Sequence, residues 1–109
     1  MKIRKGTNVF FMLKDPELHI VRGKVIAHGT MTYLVKYFER NEDCDDYREK
    51  FTKIFEHQTF QTIVGLLENE DKSVADKLIQ KFQEEDKAFV KYMNENSPKT
   101  LEDFMMEQA

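Results

Sequence analysis

Between Val9 and Phe38 hydrophobic residues recur chiefly at every second position, and beyond Phe38 their spacing lengthens toward 3.6. Val9, Phe11 and Leu13 alternate with Phe10 and Met12, so both faces of the first segment are apolar, as in a strand covered on both sides. Asp15-Pro16 signals a turn, because proline pre-sets φ at the second turn position. A second segment, 18–28, carries Ile20, Val21, Val25, Ile26 and Ala27, with Gly23 in its middle where a bulge or sharp bend is permitted. His28-Gly29 makes a compact hairpin connection. Met31, Tyr33, Val35 and Tyr37 then alternate with Thr32, Leu34, Lys36 and Phe38. Three β-rich segments joined by tight turns predict a strongly twisted three-stranded antiparallel sheet.

Past Phe38 the polar run from Glu39 to Asp46 reads as a loop leading into a helix start, where the backbone dipole favours carboxylates. Tyr47, Phe51, Ile54 and Phe55 fall at helical spacing, and Phe60, Ile63, Val64, Leu66 and Leu67 resume an apolar face. This predicts two short helices or one kinked helix, with a fourth strand over 59–65 as the alternative. Ser73 followed by Asp76 resembles a capping box at the start of the clearest helix. The stripe of that helix is Val74, Leu78, Phe82, Phe89 and Met93. Pro98 after Ser97 marks a last short helix with Leu101, Phe104 and Met105. The expected fold is α+β: a twisted three-stranded sheet, open to closing toward a barrel, followed by three or four helices in one domain over 1–109.

Composition sharpens this picture. The single Cys44 excludes an intramolecular disulfide framework and a thiolate-rich zinc site. No window approaches the roughly 20 consecutive apolar residues of a membrane span, and no small-residue cleavage site follows the basic start, so the expectation is a cytoplasmic protein without membrane contact. The net charge of −3 conceals an asymmetry. Residues 1–38 carry seven Lys or Arg against two acidic groups, whereas 39–109 carry ten against eighteen. The chain thus divides into a basic β-rich part and an acidic helical part.

Each charged region suggests a surface. Arg4, Lys5, Arg22, Lys24 and Lys36, interleaved with Tyr33 and Tyr37, are the residues with which a small sheet could hold nucleic acid by charge and stacking. The plainer account places the aromatics in the core, and it takes precedence because a phosphate grip usually accompanies a clearly basic domain. The acidic run at 42–49 fails as a calcium loop. Counted from Asn41, it has Asp46 where glycine is required and Thr52 where a bidentate Glu belongs, so no metal is expected. Glu84, Glu85 and Asp86, between Phe82 and Phe89, either present charge to a basic partner or merely sit on a curved helix with Glu85 paired to Lys81. Together with Asp43, Asp45 and Asp46 they define the candidate partner-binding face, suited to a protein with a basic groove. A homo-oligomer burying its surplus aromatic surface is the third reading.

The sequence carries no sign of catalysis. His19, His28 and His57 form no His-x-x-x-His pair, and no nucleophile elbow or Gly-rich phosphate loop is present. Cys44 lies among carboxylates, which disfavour a thiolate. The expectation is a non-enzymatic protein without a cofactor, which docks on or inhibits a larger protein assembly through its acidic helices.

The runs Lys5-Gly6-Thr7-Asn8-Val9, Val21-Arg22-Gly23-Lys24-Val25-Ile26 and Thr32-Tyr33-Leu34-Val35-Lys36-Tyr37 resemble the opening of small SH3-like barrels of the Tudor or chromo-barrel kind. The resemblance covers 5–38 and departs after Phe38, where further strands should follow and helical patterns appear instead. It implies binding of peptides or nucleic acid, sometimes through an aromatic cage around a cation, for which Tyr33, Tyr37 and Phe10 are the available members. In general character (small, acidic, without catalytic motifs) the chain is also similar to phage accessory proteins that block host machinery.

Overall fold

Alternation carries the chain through four strands, one more than the pattern predicts. The structure, a computed structural model, describes residues 2–14, 17–41 and 46–96. Strands β1 (Asn8–Leu13), β2 (His19–His28), β3 (Thr32–Asn41) and β4 (Asp46–Phe55) form one antiparallel sheet in the order β1-β2-β3-β4. A 3-10 turn, Glu56–Gln58, follows β4, and Phe60 then makes an isolated bridge to Phe10 on the free side of β1. Two helices complete the described chain: the four-residue α1 (Ile63–Leu66) and the long α2 (Lys72–Asn96).

The expected three-stranded sheet with three or four helices is therefore corrected. Residues 46–55, read as helical, are β4, paired residue by residue with β3 from Thr32↔Phe55 to Asn41↔Asp46. Among the described residues α2 is the only long helix. The strand considered over 59–65 is reduced to the bridge at Phe60, after which α1 begins, its first turn closed by the Thr62 hydroxyl accepting from the Gly65 N–H at 3.0 Å. Helix α2 begins at Lys72, so Ser73 lies inside its first turn instead of preceding it. The helix expected after Ser97-Pro98 and the turn at Asp15-Pro16 lie outside the described residues.

Period-two alternation gives the sheet two apolar faces, and each packs its own cluster. One face gathers Val9, Phe11, Val21, Val25, Tyr33, Val35 and Ile54. Phe11 and Tyr37, on β1 and β3, meet edge to face at 5.8 Å across β2, above the buried Gly23 that separates them. The residues before β1 strap this face. Ile3 packs against the cluster and its N–H donates to the Tyr33 hydroxyl at 2.9 Å, while Nε2 of His28 donates to the Ile3 carbonyl at 2.6 Å. Gly6, at φ +88°, turns the strap so that its N–H reaches the Val25 carbonyl at 2.7 Å. The register shift in β2 falls between Val25 and Ala27, beyond the glycine expected to mark it.

The opposite face receives the helices. Ile20 packs with Leu66, Leu67 and Leu78, flanked by Phe10, Met12 and Phe82, and the rings of Phe10 and Phe82 meet edge to face at 5.9 Å. Farther along, Phe89 of α2 rests against Phe38 and Tyr47 at 5.3 and 5.0 Å. Helix α2 therefore runs from the β1–β2 side of the sheet to the outer ends of β3 and β4. Among the described residues no helix is long and apolar enough to cross a membrane.

Candidate functional site

The ladder between β2 and β3 stops at Gly23↔Tyr37. Beyond it β2 remains paired with β1 down to His19, and β3 remains paired with β4 out to Asn41, so the two strands part. Helix α2 lies over this opening, and the space enclosed is a cleft of about 720 Å³. Ile20, Val21 and Tyr37 line the sheet side; Phe82 and Phe89 line the helix side, with Phe38 and Tyr47 at the outer end. Tyr47 also contacts Tyr92 at 4.9 Å, so an aromatic group closes that end.

The charges around the cleft are unequal. Glu17, Glu39, Glu84, Glu85 and Asp86 line it, against Arg22, Arg40 and Lys81. Several are paired: Arg22 with Asp86 at 2.5 Å, Lys81 with Glu17 at 3.3 Å, and Glu39 with Lys50 at 3.5 Å. Glu84 and Glu85 carry no ion pair among the described residues, because Lys81, the expected partner of Glu85, reaches across to Glu17 instead. Burial, with the Glu39 carboxylate as a smaller contributor, raises the Tyr37 phenol above its ordinary value. The cleft is thus a partly apolar, aromatic-walled slot with two uncompensated carboxylates.

The structure separates the residues that sequence reasoning grouped. In the acidic set, Glu84, Glu85 and Asp86 line the cleft, Asp46 stands half-buried opposite Asn41 at the start of β4, and Asp43 and Asp45 lie outside the described residues. In the basic set, Arg4 and Lys5 are exposed in the strap, Arg22 is taken by Asp86, and Lys24 and Lys36 are partners across β2 and β3. Tyr33 is a core residue at 2% exposure, and Tyr37 packs on Phe11. The cage implied by the resemblance is not assembled: Phe10 belongs to the helix-bearing face, whereas Tyr33 and Tyr37 belong to the other. The histidines do not converge, since His28 holds the strap, His19 bonds the Glu17 carbonyl at 2.7 Å and His57 stacks on Phe55. Among the described residues no three His, Cys, Asp or Glu side chains group as metal ligands. The helical reading of 46–55 hid three further exposed residues, Phe51, Lys53 and Phe55, which sit together on β4.

Compared with known proteins, the chain matches no family model, no curated protein and no solved structure.

Proposed function

We propose that the chain is a non-enzymatic protein-binding module that docks on a larger assembly by receiving a positively charged segment of it in the cleft beneath α2. The observation that carries this reading is the pairing pattern of the cleft: Phe38, Tyr47, Phe82 and Phe89 wall it, yet Glu84 and Glu85 lack a counter-ion among the described residues. An apolar slot bordered by unpaired carboxylates favours an extended segment whose Lys or Arg stems lie on the rings while the charged heads meet the acids. The same reading takes in the resemblance of 5–38 to small SH3-like barrels. Supporting that resemblance are the fourth strand that follows β3 and the return of Phe60 to the free side of β1.

A tagged pull-down with nuclease treatment and salt-gradient elution tests the proposal. The expected result is a discrete protein partner that survives nuclease, elutes as salt rises and is lost with Glu84→Lys/Glu85→Lys, while the melting temperature stays unchanged. Capture that is indifferent to the double charge reversal would remove the cleft from consideration.

A further inference from the structure

The part of the sheet that α2 leaves open has its own chemistry. Phe51 and Phe55 stand two alternations apart on β4 and project from the helix-bearing face, the side on which Phe38 and Tyr47 meet Phe89. They are 56% and 53% exposed, and His57 stacks on Phe55 at 5.6 Å with 24° between the ring planes. Cross-strand pairing sets lysines among these rings: Lys24, Lys36 and Phe51 form one row across β2, β3 and β4, and Leu34 with Lys53 forms the next. Lys24 and Lys53 have no counter-ion among the described residues, and Lys36 shares Glu49 at 3.6 Å. The strap, sheet and 3-10 turn together, over the described residues up to 60, carry eleven Lys or Arg against five Asp or Glu. None of Lys24, Lys36, Phe51, Lys53 or Phe55 lines the cleft, so this is a separate surface.

We infer that this face binds single-stranded nucleic acid, with bases stacked on Phe51 and Phe55 and phosphates held by Lys24, Lys36 and Lys53. Exposed aromatic faces next to Lys24 and Lys53, which lack a counter-ion among the described residues, match a ligand that carries flat apolar groups on a regularly charged backbone. A duplex offers the phosphates but keeps its base faces stacked, so it satisfies the lysines and leaves the phenylalanines unused. An acidic protein surface would likewise answer only the charges.

Fluorescence anisotropy with labelled oligo-dT and oligo-U, over a series of salt concentrations, tests this with the full chain. Three phosphate contacts give a slope of about −2 in log K against log salt for single strands. Phe51→Ala and Phe55→Ala should each weaken binding about tenfold without changing that slope, and both sites are exposed enough to leave the melting temperature intact. Lys24→Gln and Lys53→Gln should each flatten the slope by about 0.7. Absence of binding at low salt would overturn the inference. So would equal affinity for duplex with no effect of the Phe51 and Phe55 substitutions. Sedimentation showing a self-associated species that Phe51→Ala dissociates would overturn it too, by assigning the face to a second copy of the chain.

Discussion

Arg22 on β2 and Asp86 on α2 meet at 2.5 Å across 64 residues of sequence, pinning the long helix over the point where β2 and β3 part. The pair splits the acidic triplet into two kinds of group: Asp86 is committed within the fold, whereas Glu84 and Glu85 carry no ion pair among the described residues. Its side chains are 38% and 28% exposed, so solvent screens it, and a coupling of about 0.5–1 kcal/mol is expected rather than that of a buried pair. Asp86→Asn and Arg22→Gln should each lower stability by that amount in urea titration. The double mutant should recover part of the loss, and the coupling should shrink as salt is added. A coupling of zero would mean that this pair does not help to hold α2, leaving the apolar contacts and the Lys81–Glu17 pair.

Gly23 is required by proximity, since its backbone needs no positive φ. A Cβ there would run into Cγ1 of Val35, stand 2.8 Å from the Lys36 carbonyl oxygen and 3.1 Å from the Phe11 ring. The carbonyl belongs to the paired strand and cannot move away without breaking the ladder. Gly23→Ala is therefore expected to destabilise by about 1–3 kcal/mol, the cost of overpacking a filled core, despite alanine's lower backbone entropy in the unfolded chain. Thermal unfolding checks this, and an unchanged or raised midpoint would show that the sheet can flatten at no cost.

Phe89 joins the far end of α2 to Phe38 and Tyr47, with Tyr92 beyond it on Tyr47. The near end is held by a different cluster, Ile20 with Leu66, Leu67 and Leu78. Phe89→Ala removes the ring contacts of one end only. The expected loss is about 1–3 kcal/mol, below that of a fully buried Phe because the site is half-buried. Hydrogen exchange should then show amides after Phe89 losing protection while those around Leu78 keep theirs. Equal loss along the whole helix would mean that α2 docks as one unit.

What the residue pattern reveals of this fold depends on which spacings are shared by strand and helix. β1 to β3 are legible because strict alternation such as Tyr33, Val35 and Tyr37 has no helical equivalent. β4 is not, because Tyr47, Phe51 and Phe55 recur every four residues, a spacing that keeps side chains on one side of a strand as well as on one helical stripe. Ile54 is the residue that distinguishes them: in a helix it joins that stripe, whereas in β4 it crosses to the buried cluster with Tyr33 and Val35. Half of the ten residues of β4 are aromatic or β-branched (Tyr47, Phe51, Thr52, Ile54 and Phe55), which is the signal that favours the strand. A helical reading of 46–55 assigns Arg48, Lys50 and Lys53 to the acidic part, and their place on β4 makes the sheet more basic than a boundary at Phe38 suggests. α2 is legible through Leu78, Phe82 and Phe89, though Val74 is 38% exposed, outside the contact with the sheet. The cleft has no sequence signature, since the place where one ladder ends is set by how far β2 follows β1 and β3 follows β4.

Tyr37 links the curl of the sheet to alkaline pH. Burial, and then the nearby Glu39 carboxylate, raise its phenol above the ordinary value of 10.0, because both disfavour the phenolate. The folded chain therefore holds this proton more tightly than the unfolded chain does. That advantage is fully present below pH 10 and is lost as the pH rises from 10.0 through the raised folded value, since the unfolded chain ionises first and gains from doing so. Stability should consequently fall with pH above about 10, and Tyr37→Phe should remove this share of the decline while keeping the ring packed on Phe11. Melting temperatures of both proteins between neutral pH and pH 11 make the comparison. The expected outcome is a gap between them that narrows or reverses on the alkaline side, and curves that stay parallel would mean the Tyr37 hydroxyl is solvated in the folded state as freely as in the unfolded one.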